Sequence, residues 1–380
     1  MRRAITIVLT ILLVLAMFVS CKEPTPQFTV NFDSNGGIGE MTGQTVNENE
    51  STELKANTFT KDGYVFARWN TKADGSGTGY ADRNSISVSS DITLYAQWAI
   101  GLAPGTAELT TGTYLLNQNL SIDARITVTG NVTLLLADGY TLQTAHGIFV
   151  GTGNKLTIDA AGTAGTGRLL ATNGGDDAAI GGNNGTKAGE IVINGGYIYA
   201  TQTQTSGYAA AIGGGRDADS GFITINGGTV TASMTSLSDG AAIGGSDSHS
   251  GGVITINGGT VTATGGTGSG ASGSGIGGGA YAEGGLITIN GGTVTATGGE
   301  GEAAGIGGGK NYGAGTIIIN GGKITAAGAA GADGIGAGND SLYGTGQLIV
   351  GTGVSLKTSD DNSNWSDYSG TRNRYMKTSD

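Results

Sequence analysis

Between Ile148 and Val350 one short pattern keeps returning: (A/G)-I-G-G, a polar loop, I-T-I-N-G-G, then T-V-T-A-T. The isoleucines of the first motif are Ile148, Ile180, Ile212, Ile243, Ile276, Ile306 and Ile335, in steps of 32, 32, 31, 33, 30 and 29 residues. Asn194, Asn226, Asn257, Asn290 and Asn320, from N-G-G, follow in step. A fixed period of this size implies stacked repeats. Within I-T-I and T-V-T apolar and polar residues alternate with period two, so Ile and Val face one side and Thr the other. No run has the length or spacing of an amphipathic helix. A lone three-strand unit cannot bury its apolar face, whereas coils stacked about 4.8 Å apart bury a continuous one.

The fold expected is therefore all-β, a parallel β-helix with rungs of roughly 30 residues. Each rung sends inward the equivalents of Ile212, Ile223, Ile225, Val230 and Ala232. Right-handed winding is the expectation for parallel crossovers. Asn-Gly-Gly suits a tight bend, and the five Asn, stacked in register, form a candidate side-chain amide ladder. Gly makes up 75 of 380 residues, which without a period would read as disorder; the period decides otherwise. In five successive units the motif Ile and the first Ile of I-T-I are 11 residues apart, while the arc from Asn to the next Ile varies from 15 to 19. One edge of the coil is uniform and the other carries unequal loops.

At the N-terminus Arg2 and Arg3 precede an uncharged apolar run, Ala4 to Val19, too short to span a bilayer. Residues 1–20 read as a signal peptide. Cys21, the only cysteine, stands directly behind Ser20. This arrangement resembles the lipobox of bacterial lipoproteins, with Phe18 a departure from the usual Leu. The resemblance implies lipidation at Cys21, a membrane anchor and a place in the cell envelope, with 21–27 as the tether. A single Cys leaves no disulfide. Without Arg2 and Arg3 the formal charge moves from −11 to −13, which argues against nucleic acid as a partner.

Residues 28–98 form a distinct block: F-T-V-N-F-D-S-N-G-G (28–37), F-T-K-D-G-Y-V-F-A-R-W-N-T (59–71), D-G-S-G-T-G-Y (74–80) and D-I-T-L-Y-A-Q-W (91–98). Motif by motif it resembles the Listeria–Bacteroides repeat, the B-repeat of internalin-type surface proteins; Ala67 before Arg68 departs from the commoner Gly. The resemblance implies a small β-grasp-like module serving as spacer or binding element. Trp69 and Trp98 are expected in its core. Residues 99–104 read as a linker, 105–358 as the β-helix with irregular opening rungs, and 359–380 as a polar cap or tail, in which Trp365, Tyr368 and Tyr375 are available to fold over the last coil. Over 105–355 the A-A-I-G-G-G and I-T-I-N-G-G-T-V-T-A-T signatures resemble the β-helical carbohydrate-binding surface proteins of anaerobic bacteria.

The uniform-edge loops carry the varied polar residues. Counting back five from each next strand aligns Tyr312 with Tyr343, with Tyr281 close by. Together with Asp217, Asp219, Asp247 and His249 these are the candidate ligand-binding residues, because a sugar groove needs aromatic faces and a few placed polar groups. Asp217, Asp219 and Asp247 are also a weak calcium candidate; no other cofactor is indicated. Glycoside hydrolysis needs a pair of acids at a set separation, and only this cluster, beside Arg216, offers one; His146 and His249 are the only histidines. No hydrolase, zinc or phosphate motif occurs, so no enzyme activity is expected. A T-x-T array, Thr229/Thr231, Thr260/Thr262 and Thr293/Thr295, raises ice or crystal-surface binding as a further reading. The reading adopted is a non-catalytic surface lipoprotein, an adhesin or carbohydrate-binding protein with a polysaccharide or host-surface ligand; the alternative is a structural spacer.

Overall fold

The structure, a computed structural model, describes residues 25–203, 208–235, 238–266, 272–339, 346–370 and 373–379. Every regular element among them is a strand. They divide into two compact units. One holds the described residues up to Phe59 together with Trp69–Ala96; the other holds Thr60–Arg68 and Gln97 onward.

In the first unit Gln27–Asp33 pairs antiparallel with Gln44–Asn47 and in parallel with the stretch from Ile92 to Tyr95. Trp69 is fully buried, its ring 4.9 Å from Phe32 and 6.0 Å from Phe59. Trp98 belongs to the second unit, half-buried and edge-on to Phe66 at 6.0 Å. The stretch 60–68 joins the second unit for a physical reason. Val65 and Ala67 pack on Ala99, Leu115, Leu135 and Ala161, and Arg68 Nη1 lies 3.2 Å from Asp159. Ala99 and Leu102, in the stretch expected to link the parts, are buried.

The second unit is a parallel β-solenoid, about six turns of it between 141 and 350. Three strand columns make its faces. The first is the Ile-Gly column, where Ile148, Ile180, Ile212, Ile243, Ile276, Ile306 and Ile335 pair in sequence. The second holds Glu190–Ile193, Phe222–Ile225, Val253–Ile256, Leu286–Ile289, Thr316–Ile319 and Gln347–Val350. The third runs from Leu120–Ile122 through Thr229–Met234 to Lys323–Ala327. Strict alternation puts Ile212, Ile223, Ile225, Val230 and Ala232 inside, each no more than 1% exposed. Because like residues stack on like, one continuous apolar core runs from Leu102 to Met376.

The carboxyl end closes differently from the rungs. Tyr375–Thr378 runs antiparallel between Lys323–Ala327 and Leu356–Ser359, ending the parallel column of the third face. Met376 is the fully buried plug. Of the expected aromatics, Tyr368 packs against the core from a half-buried position, while Trp365 lies under Lys377 Nζ at 4.2 Å.

Candidate functional site

The turns between the first and second faces are one loop built repeatedly. Its fifth residue after the motif Ile is left-handed in five successive rungs: Gly185, Asp217, Ser248, Tyr281 and Asn311, with φ from 56° to 71°. Asp, Ser and Asn tolerate that region; for a bulky aromatic it is costly. Tyr281 is nonetheless there, 40% exposed. It therefore stands in column with Asp217 and Asn311, whereas Tyr312 is one residue further along, in line with His249. Tyr343 and Cys21 lie outside the described residues.

The candidate acids separate into different roles. Asp219 Oδ1 accepts the Ser250 N–H at 3.0 Å, so this carboxylate braces the next rung. His249 Nδ1 is 2.7 Å from the carbonyl oxygen of Asp247. Among the described residues no three His, Cys, Asp or Glu side chains converge on a point where a metal ion would sit, so Asp217, Asp219 and Asp247 do not make a three-carboxylate cage.

A second set of groups meets this loop from the variable arc. The carbonyls of Asp176, Tyr208, Asp239 and Glu302, each four residues before a motif Ile, accept the N–H groups of Arg216, Asp247, Ala280 and Asn339 of the following rung at 2.7–2.9 Å. That ladder lays side chains from both arcs side by side. Arg216 lies 4.5 Å over the Tyr208 ring, 3.3 Å from Asp176 Oδ2 and 3.5 Å from Asp217. Asp239 is pushed up to about 6, first by burial and then by the neighbouring charge of Asp247. Burial also raises Asp247, against hydrogen bonds from Ser248 that lower it, and its Oδ1 is buried without a hydrogen-bond partner among the described residues. Lys310 Nζ pairs with Glu302 at 2.9 Å and holds its carboxyl below the usual range. The result is a polar stripe along one corner: a cation stacked on an aromatic ring, then a carboxyl pair, then an exposed tyrosine. Sequence reading placed Arg216, Asp217, Asp247 and Tyr281 there and missed Asp176, Tyr208, Asp239 and Glu302. The fixed offset of four before the motif Ile was the available signal.

Two other polar features are structural in character. Asn226, Asn257, Asn290 and Asn320 each donate Nδ2 to Oδ1 of the Asn one rung back, starting at Asn194, at 2.7–2.8 Å. A cavity of 640 Å³ opens beside the first coils, lined by Arg125, His146, Asn173, Asp177 and Thr203 among others. Arg125 there is committed to Asn183 and to the carbonyls of His146, Ala178 and Gly182. Burial lowers it to about 10, with Asp177 opposing.

Residues 28–97 match the Listeria-Bacteroides repeat domain, and residues 191–216, 223–247, 254–280 and 287–310 match the beta helix repeat. The chain is 36% identical over 80 residues to a protein of Evansella cellulosilytica provisionally named a Gly-rich membrane protein, covering 20% of this chain and 9% of that protein. A second protein of that organism, provisionally named a membrane protein, is 34% identical over 76 residues, 19% of this chain and 11% of its own length. The chain thus spans about a tenth of the length of these relatives. No solved structure matches it significantly. No helix among the described residues is long and apolar enough to cross a membrane. The chain carries a Listeria-Bacteroides repeat domain and, behind it, a run of beta helix repeats wound into a parallel solenoid.

Proposed function

We propose that this protein is a non-catalytic surface component of a bacterial cell envelope, held by a lipid on Cys21, and that it binds a glycan along the corner between the first and second faces. The observation that carries the reading is Tyr281. A bulky ring is kept exposed in a left-handed turn that Gly, Asp, Ser and Asn fill in neighbouring rungs, and strain of this kind concentrates where a side chain is needed for contact. Arg216 stacked on Tyr208, with Asp217 and the Asp239–Asp247 pair alongside, supplies ring faces and fixed hydrogen-bonding groups of the kind sugars use. Membrane proteins among the relatives and the Listeria-Bacteroides repeat fit an envelope location.

The test is a glycan array probed with the full chain, with and without calcium. The expected result is a retained sugar whose signal falls at least tenfold, about 1.4 kcal/mol, in Tyr281→Ala. No bound sugar in either condition leaves the spacer reading, which the backbone bracing by Asp219 favours. Incubation with pectin or xylan is expected to release neither unsaturated nor reducing ends; release of either would make the Asp239–Asp247 pair a catalytic candidate.

A further inference from the structure

Along the corner of the proposed glycan site the charges are balanced rung by rung, with one exception. The acids four residues before a motif Ile are Asp176, Asp239 and Glu302. Each meets the uniform loop of its own rung or of the next. Asp176 Oδ2 lies 3.3 Å from Arg216 of the following rung. Glu302 pairs with Lys310 of its own rung at 2.9 Å. Asp239 has Asp247 in its own rung, and Ala280 in the following one donates its N–H to the Asp239 carbonyl at 2.7 Å. One of these neighbours is a second carboxyl and the other carries only a methyl group. Among the described residues, Asp239 is therefore the one acid of the series that no side-chain cation meets.

The unmatched carboxyl sits beside the exposed ring. Tyr281 directly follows Ala280 and is 40% exposed in its left-handed turn. Asp247 adds a further acceptor, its Oδ1 unpartnered among the described residues. Arg216 is already shared between Asp176 and Asp217, and Lys310 is paired with Glu302, so neither answers these two carboxyls. A sugar hydroxyl donates a hydrogen bond but leaves the negative charge uncompensated, whereas a protonated amine supplies both donor and charge. A uronate or sulfate would instead add another anion to the pair. An ammonium group beside a tyrosine face gains further from the ring.

We infer that the glycan bound at this corner is an amine-bearing one, its sugar ring on Tyr281 and its ammonium group against Asp239 and Asp247. The ligand thus brings the cation that Arg216 and Lys310 supply in other rungs. The inference rests on the glycan reading given above and narrows it to polymers of unacetylated amino sugars.

The test is titration calorimetry of the full chain with hexasaccharides of β-1,4-linked glucosamine, of its N-acetylated counterpart and of galacturonate. It is run in chelator, so that no divalent cation competes, at about pH 7, where Asp239 is ionised and a sugar amine still holds much of its proton. The glucosamine hexamer is expected to bind roughly tenfold more tightly than the N-acetylated one, and the galacturonate hexamer not at all. Asp239→Asn removes the charge, and Ala280→Lys supplies a cation from within the chain, as Lys310 does for Glu302. Each is expected to bring the glucosamine and N-acetylglucosamine hexamers to equal affinity. Asp239→Asn is nearly isosteric, and far-ultraviolet circular dichroism shows whether each variant folds. Equal affinity in the unsubstituted chain, preference for galacturonate, or a preference that survives Asp239→Asn would overturn the inference and leave the glycan reading standing. No binding by any of the hexamers would overturn it too, and together with an empty glycan array would remove the glycan reading as well.

Discussion

Gly244 shows how little room the stack leaves. Its φ is +143°, and a Cβ built there lies 1.9 Å from the carbonyl oxygen of Gly277 in the next rung; Gly181, Gly213 and Gly277 repeat the situation. Gly244→Ala is therefore expected to cost at least ~3 kcal/mol, read from the denaturant midpoint, and an unchanged midpoint would contradict it. Tyr281 presents the opposite case. Tyr281→Asn relieves a strained turn and is expected to stabilise by about 0.5–1 kcal/mol while abolishing any glycan signal. Asp239 adds a pH test. Its folded pKa of about 6 lies above the unfolded 3.8, so the native state holds more protons between these values. Stability then falls as pH rises through that window. Half-exposure and screening reduce the full effect to about 1 kcal/mol. Asp239→Asn should raise stability by that amount above about pH 7 and flatten the slope between about pH 4 and 6; an identical pH profile for both chains would argue against the carboxyl pair. In the sequence Asp239 is masked by the changing length of its arc when counted from the preceding Asn, and only its constant offset of four before the motif Ile marks it.

The strands were legible for a reason particular to stacks. Ile212, Ile223 and Val230 each recur at the period, so one unit repeats the assignment for its neighbours, and the Asn column follows from the same register. Tyr375–Thr378 has no counterpart in any rung and pairs antiparallel, so the repeat gave no register for it; Met376, flanked by polar neighbours, carries no periodic signal. The outward column Lys155, Glu190, Phe222, Val253, Leu286, Thr316 and Gln347 carried no such signal, because its residue type changes from rung to rung. Nearest-neighbour stacking has a direct consequence. Removing 226–256, one Asn-to-Asn step of 31 residues, rejoins Ile225 to Asn257 in register. That chain is expected to fold with a cooperative melt, whereas deleting half as many residues from the same point should not. Folding of both, or of neither, would contradict independent rungs.

The solenoid is uncharged and repetitive inside, so whatever distinguishes this protein from another stack is carried on its surface, foremost the corner with Arg216 and Tyr281. Its long-range prediction follows from the ladder. Asn194 and Asn320 are 126 residues apart in sequence and four rungs apart in space. In a chain with Cys21→Ser, spin labels on Asn194→Cys and Asn320→Cys are to be measured by pulsed electron–electron resonance. The predicted distribution is narrow and centred near 20 Å, four steps of about 4.8 Å; a broad distribution, or one centred beyond about 35 Å, would contradict the stacked coil.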